Sequence, residues 1–592
     1  MADKGTGNKN MLHYGDNLDV LRTKVKDESV DLCYIDPPFN SKRNYNQIYN
    51  NVGNEDRAQA QAFTDTWTWD DKANDGFDEI LSNTQGRYPS HTVDLLKGLQ
   101  PVLKKSSLFA YIVSMTQRAV EIHRVLKPTG SFYLHCDPTA SHYLKVVMDS
   151  VFVAQGGDFL NEIVWRRTGT HSKSTRFAPI HDVILLYTKS SKWTWNQQRK
   201  PYMLGHVEEN FEKTPDGWKT KYWGNVLTGS GLRGGESGQA WRGVDPSSKG
   251  RHWAIPGAVV ADLADAGEDL SKMTQHEKLE KMLELGYIKF QEGQFWPVYE
   301  RMIKSTDGQT VSDIWAYQPH THKTQFGTAD GIDEDVRWLS TQDQERLGYP
   351  TQKPEALLER IIAASTNEGD VVLDAYCGCG TTIAVAESMR RRWIGMDITY
   401  QAIALILHRM EKAFGKERLD TIRIGGIPQD MASAEALAHK KDDRVRKEFE
   451  KWAVLTYSNN RAIINDKKGA DGGIDGIAYS QTGKNDTAKV VFQVKSGGVG
   501  RGDIAKLRGD MEREGAALAV FITLQPPSGP MLEEAHGSGR WTHAFFGRTY
   551  DRVQIVTIQE MLEGGKRLDL PLSIEVVKSA QKAPEGEQQT LF

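Results

Sequence analysis

From Asp370 to Asp397 the sequence passes from an apolar, β-forming stretch (DVVLDA) into Tyr376-Cys377-Gly378-Cys379-Gly380-Thr381-Thr382. A helical pattern follows through Met389, and a second apolar run, Trp393 to Met396, ends on Asp397. Strand, glycine turn, helix, strand and terminal acid is the order of a nucleotide-binding βαβ unit, and such a unit predicts a parallel sheet covered by helices. The turn lacks a third glycine in the dinucleotide spacing and lacks the Lys-Ser/Thr of a P-loop, which weighs against NAD and ATP. Cys377 and Cys379 have no His or Cys partner nearby in sequence, so they read as packing in a tight turn rather than as metal ligands.

A second strand-to-loop transition lies far upstream. Val30 to Ile35 (VDLCYI) reads as a buried strand that stops at Asp36-Pro37-Pro38-Phe39. Adjacent prolines fix φ and remove backbone donors, so the loop is expected to be stiff with its carbonyls facing a ligand. Further strands are expected at Ser131 to Leu134 and Val183 to Tyr187, with helices around Met115 to Leu126 and Ala140 to Phe152. From Ser190 to Leu339 aromatic residues such as Trp193, Trp195, Tyr222, Trp223, Trp241 and Trp253 are interspersed with Gly, Ser and basic residues, the pattern of an inserted recognition region. Residues 426–444 read as a charged linker before a separate helix-and-strand domain over 445–576, and 577–592 as a polar tail.

A chain of 592 residues exceeds what one core usually organises, so three or four domains are expected. No apolar run is long enough to span a membrane, and Met1 to Asn10 is too polar for a signal peptide. With only four cysteines, Cys33, Cys136, Cys377 and Cys379, a reducing, cytoplasmic location is expected. The net charge of −4 gives no global sign of nucleic-acid binding, so any basic surface is local, as at Trp165-Arg166-Arg167 or Arg390-Arg391-Arg392.

Asp36 and the Pro37 carbonyl together suit one difficult reaction. An aromatic amine is a poor nucleophile because its lone pair is delocalised into the ring. Two acceptors on its hydrogens favour a pyramidal nitrogen with a localised lone pair, and Phe39 offers a face for an extruded base. Taken alone, Asp-Pro-Pro-Phe could equally be a proline-stiffened turn. With the glycine loop downstream, the chain resembles the beta-class amino-methyltransferases of DNA, which include modification subunits of Type III restriction systems. The motif order carries the resemblance: the catalytic loop first, the recognition insert next and the cofactor motifs last, over Met11 to Gly425. Tyr14-Gly15-Asp16-Asn17, Asn40, Asp313-Ile314-Trp315 and Tyr349-Pro350-Thr351-Gln352-Lys353-Pro354 add to it.

The resemblance implies a doubly wound, mostly parallel, Rossmann-like α/β sheet split into 11–189 and 341–425 around the 190–340 insert. It also implies S-adenosyl-L-methionine as cofactor, held by Asp16, Lys353, Asp374, Tyr376, Cys377, Gly378, Gly380, Thr381, Thr382 and Asp397. Asp374 would lie near the methionine amino group and Asp397 near the ribose, with Asp36, Pro37, Pro38 and Phe39 as the catalytic loop. Asp rather than Ser at the head of that loop favours N6 of adenine over N4 of cytosine. His135 with Asp137, and His181-Asp182, are read as shaping the base pocket or strand ends, and His123-Arg124 as surface.

The last domain carries Ala470-Asp471-Gly472-Gly473-Ile474-Asp475-Gly476 and then Gln493-Val494-Lys495 on one strand. Acid-x-Lys on a strand puts both side chains on one face, where a metal-dependent nuclease needs them. With Gln at the first position it resembles the Mrr-type members of the PD-(D/E)xK restriction endonucleases. That resemblance implies a smaller α/β domain with Mg²⁺ on Asp475 and Gln493, Lys495 stabilising developing charge, and Glu448 as accessory ligand. A non-catalytic DNA- or partner-binding module is the other reading, because glutamine is a weaker ligand for Mg²⁺ than a carboxylate. Double-stranded DNA is the expected partner. A second copy of the chain and a helicase or other restriction subunit are further expectations, and Gln588-Gln589-Thr590-Leu591-Phe592 resembles tails that dock on sliding clamps.

Overall fold

Every residue of Val30–Ile35 is buried, which fits a central strand covered on both faces. Around it, the computed structural model describes residues 9–38, 67, 69–169, 175, 177–265, 269–270, 272–303, 307–317, 335–340, 343–347, 351–428, 430–439, 443–459, 461–465, 473–482, 486–544, 546–570 and 572. They fall into two units, one made of residues 1–196 with 337–592 and the other of residues 197–336.

The first unit holds two large sheets and a two-stranded one, Arg540–Thr542 with Thr549–Asp551. Strands β1 (Asn10–Tyr14), β2 (Val30–Ile35), β3 (Leu126–Cys136), β4 (Asp158–Arg166), β5 (His181–Thr188), β6 (Val371–Asp374), β7 (Arg392–Asp397) and β8 (Ile422–Gly425) hydrogen-bond in the order β4-β5-β3-β2-β6-β7-β1-β8. The run from β3 to β8 is parallel, while β5 is antiparallel to both β3 and β4. Helices α1 (Asn17–Lys24), α2 (Ser107–Val125), α3 (Glu355–Ser365), α4 (Thr381–Ser388) and α5 (Tyr400–Phe414) accompany this sheet. Its core gathers Cys33 and Ile35 of β2, Phe109 and Met115 of α2, Phe132 of β3 and Leu373 of β6. His123, expected at the surface, is half-buried against the Phe152 ring, and burial lowers its pKa to about 4. Arg124 beside it donates to the Leu21 and Val25 carbonyls and ties α2 to α1 and the loop that follows it.

The sheet of the C-terminal region has β9 (Ile463–Ile464), β10 (Gly476–Gln481), β11 (Thr487–Lys495), β12 (Leu518–Thr523) and β13 (Val553–Thr557) in sequential order. The first two pairings, β9 with β10 and β10 with β11, are antiparallel, and the last two are parallel. The expected linker over 426–444 is instead largely structured: α6 (Met431–Ala438) starts on a reciprocal cap between Asp430 and Ser433. It buries Ala434 and Ala438 against Phe449 and Trp452 of α7 (Asp443–Tyr457), in a core that also takes in Tyr400 and Ala404 of α5. Each large side chain buried there contributes roughly 2–3 kcal/mol. The C-terminal region is thus packed on the first sheet rather than held apart from it.

The second unit has its own core, in which Trp241 and Trp253 meet edge to face with ring centroids 5.9 Å apart. Its largest sheet is antiparallel, in the order Ile288–Lys289, Val298–Met302, Gly217–Trp223, Glu212–Thr214. Trp193 and Trp195 lie outside it, in the first unit, and are exposed.

Candidate functional site

Parallel pairing of β2 with β6 sets Leu32 beside Val372 and Cys33 beside Leu373. The Asp36-Pro37-Pro38 turn and the turn after Asp374 therefore leave the same carboxyl edge of the sheet, side by side, although 338 residues separate Asp36 from Asp374 in sequence. β7 pairs with β6 on its other side and delivers Asp397 to that same edge. A crevice outside the carboxyl ends of parallel strands is where open α/β sheets bind ligands.

The glycine turn is tightly packed. Gly380 has φ +75° and caps α4, and a Cβ there would come within 2.7 Å of Ile406. The Gly378 N–H donates to the Asp397 carboxylate at 3.0 Å, and the Cys377 N–H to the Met396 carbonyl at 3.0 Å. Both cysteines are buried free thiols, raised in pKa by burial. The Thr381 hydroxyl contacts the Lys353 carbonyl and the Arg409 guanidinium.

Asp374 accepts from the Tyr376 N–H at 3.0 Å and from Thr382. Burial pushes its pKa up to about 7, helped by the charges of Asp36 and Asp397. Asp397 is also raised by burial, against the lowering effect of Thr399, which donates both its N–H and its hydroxyl to Oδ1 at 2.9 Å. Asp16 caps α1 through the Leu18 N–H and pairs with Arg118 at 3.1 Å, while the Gly15 N–H donates to the Asp397 carbonyl. Asn17 spans the gap, donating to the Ala375 carbonyl and accepting from Arg118. Ile398, immediately after Asp397, is 57% exposed.

At the Asp36 turn, Lys353 forms an ion pair with the Asp36 carboxylate. The resemblance assigned Lys353 to the cofactor, and the structure ties it to Asp36. The Pro38 carbonyl, expected to face a ligand, instead accepts from the Trp67 indole at 3.1 Å. Trp67 had no periodic signal to mark it. Phe39, Asn40, Tyr349 and Pro350 lie outside the described residues.

Behind the loop, His135 is fully buried. Its Nδ1 meets the Tyr34 hydroxyl at 2.8 Å and its Nε2 meets Asp182 at 3.2 Å, with Arg167 on the other Asp182 oxygen. Asp182 is raised by burial but lowered overall by its hydrogen bond and charge interaction with His135 and by the charge of Arg167. This chain braces the strands beneath Asp36.

In the C-terminal sheet, Asp475 precedes β10, and its Oδ2 accepts the Val494 N–H at 2.7 Å, beside Gln493 and Lys495 of β11. Gln493 is buried, its Nε2 donating to the Gly473 carbonyl at 2.9 Å, and its Oε1 has no hydrogen-bond partner among the described residues. A buried amide oxygen left over next to a carboxylate fits a hard cation, and Mg²⁺ commonly takes one or two protein ligands plus water and phosphate oxygens. Among the described residues no cluster of three His, Cys, Asp or Glu could hold a metal, and Asp471 lies outside them. Glu448 is not at this site: its Oε2 accepts the Tyr400 N–H at 3.1 Å, on the methyltransferase-like sheet's side of α7. Two residues on, Glu450 lies about 200° around the helix. It is raised by burial and faces the charges of Lys447, Arg446 and Lys495.

The family model of DNA methylases matches residues 30–408, and that of a restriction endonuclease domain, Mrr_cat, matches residues 446–543. The Type II methyltransferase M.EcaI of Enterobacter cloacae is 26% identical over 304 residues, 51% of this chain and 57% of its own. The Mod subunit of the Type III restriction-modification enzyme StyLTI of Salmonella typhimurium is 26% identical over 386 residues, 63% of this chain and 49% of its own. DNA adenine methyltransferase YhdJ of Escherichia coli is 44% identical over 96 residues, 16% of this chain and 31% of its own. The chain thus spans about half the length of the first two. With the methylase match running through both the Asp36 and the Asp374 turns, the chain belongs to the DNA methylase family and carries a Mrr-type restriction endonuclease domain fused behind it.

Proposed function

We propose that this chain transfers a methyl group from S-adenosylmethionine to N6 of adenine in double-stranded DNA. The observation that carries this reading is the β2–β6 pairing, which sets the Asp36 turn beside the glycine turn and Asp374. The residues present fit the cofactor: the buried carboxyl groups of Asp374 for the amino group and Asp397 for the ribose, with the Gly378–Gly380 turn between them. When bound, S-adenosylmethionine supplies an electrophilic methyl on sulfur.

The remaining work falls to the chain. Asp36 and the Pro37 carbonyl accept hydrogen bonds from the exocyclic amine and localise its lone pair, and Lys353 holds the Asp36 carboxylate in place. With its own carbonyl held by Trp67, Pro38 keeps the turn rigid. Asp at position 36, rather than Ser, and the likeness to a protein named DNA adenine methyltransferase support adenine over cytosine. The likeness to a Type III Mod subunit supports a separate restriction subunit as partner. No helix among the described residues is long and apolar enough to cross a membrane. The clamp-like residues 588–592 lie outside the described residues.

For the C-terminal domain we infer cleavage of DNA, with Asp475 and Gln493 as the cation's ligands and Lys495 steadying charge at the phosphate. Full-length protein should transfer labelled methyl to DNA and lose that transfer in Asp36→Ala. It should also cut DNA only with Mg²⁺, and Lys495→Ala should abolish cutting. Transfer that survives Asp36→Ala removes the first assignment, and cutting that survives Lys495→Ala or chelation removes the second.

A further inference from the structure

The two chemistries meet on one helix. α7 belongs to the endonuclease domain, yet Glu448 on it reaches across to α5 and accepts the first N–H of that helix, from Tyr400, at 3.1 Å. Lys451 pairs with the other Glu448 oxygen at 3.1 Å and keeps the carboxylate aimed. Tyr400 is secured at both ends: its hydroxyl lies 3.1 Å from Thr456 of α7, and its ring meets Tyr14 edge to face at 6.2 Å. The residue before it, Thr399, donates two of the hydrogen bonds that orient the Asp397 carboxylate, beside the one from the Gly378 N–H, and Gly15, next to Tyr14, donates to the Asp397 carbonyl. A carboxylate at the amino end of α5 also interacts favourably with that helix's dipole.

We propose that Glu448 is a positioning residue for the nucleoside end of the methyl donor's site, supplied to the methyltransferase by its fused endonuclease domain. It acts through Tyr400 and Thr399 on Asp397 and does not touch the transferred methyl. This rests on S-adenosylmethionine being the ligand of the Asp374–Asp397 crevice. Its consequence is that the methylase matched over residues 30–408 borrows part of its cofactor site from a domain outside that match.

The test is calorimetric titration of the full chain with S-adenosylmethionine and, separately, with 5′-methylthioadenosine, which keeps the nucleoside and lacks the amino acid. Glu448→Ala should weaken both by about tenfold, the cost of one charge-assisted bond. Glu448→Gln keeps an acceptor oxygen and should recover most of the loss. At saturating S-adenosylmethionine the methyl-transfer rate of Glu448→Ala should stay within about twofold of the parent, so that KM moves and kcat does not. Equal affinity in Glu448→Ala and the parent overturns the inference and leaves the proposed function standing, as does an equal fall in kcat with KM unchanged. If Glu448→Ala melts markedly lower than the parent, Glu448→Gln decides: parent-like stability with parent-like affinity supports the role, and parent-like stability with the full loss contradicts an acceptor role. A parent protein that binds neither ligand overturns the proposed function itself.

Discussion

Asp374 carries two demands that oppose each other. It is buried, which favours the neutral acid and raises its pKa to about 7, and it is assigned to a cationic amino group, which requires the carboxylate. Binding of S-adenosylmethionine should therefore expel a proton when the pH lies below about 7. Calorimetry at pH 6.5 in two buffers of different ionisation enthalpy should show that release, and Asp374→Asn should lose it along with most of the affinity. The same shift bears on stability. The folded chain keeps a proton that the unfolded chain gives up near the ordinary value of 3.8, so this group's contribution is fully present below that value and lost as pH rises to about 7. Individual residues were unevenly legible. Asp374 and Asp397 could be read because each ends an apolar run. Trp67 could not, because its role arises from a contact with Pro38 that no local period encodes.

At the level of elements, the glycine turn before α4 is the most constrained segment. Gly380→Ala would place a Cβ at positive φ and 2.7 Å from Ile406, and should destabilise the chain by about 1–3 kcal/mol in urea unfolding. Pairing it with Ile406→Ala should recover the steric part and not the backbone part, and full recovery would show that φ at this position costs nothing. β2 and β7 were legible because burial on both faces writes itself as a largely apolar run. β1 was not, since Asn10-Met11-Leu12-His13-Tyr14 mixes polar residues into a strand that pairs with β7 and β8, which lie 383 and 412 residues further along (Met11 with Ile394, Asn10 with Ile422). Its Asn10 is satisfied only by that distant company, donating to Glu387 and accepting from the Trp393 N–H. α6 was obscured by the charged residues that follow it, although its cap and its alanines suit a helix.

Across the whole molecule, the first unit joins two sheets through one apolar core that runs from Tyr400 and Ala404 to Phe449, Trp452 and Val490. Domain count read from length and charge runs separated what packing unites, because the Lys440-Lys441-Asp442-Asp443-Arg444 stretch looks like a hinge and directly precedes or begins the helix that makes the join. This explains how an acid of the C-terminal domain comes to accept the first N–H of α5. It also means that excising either part exposes a core face of the other. Everything proposed for the molecule still depends on what the Asp36 turn does to DNA. The most direct measurement is modified-base sequencing of genomic DNA from a host expressing the full chain, in parallel with a host expressing Asp36→Ala. N6-methyladenine at one recurring sequence in the first and at none in the second is the predicted result. N4-methylcytosine in its place, or adenine marks that persist with Asp36→Ala, would contradict it.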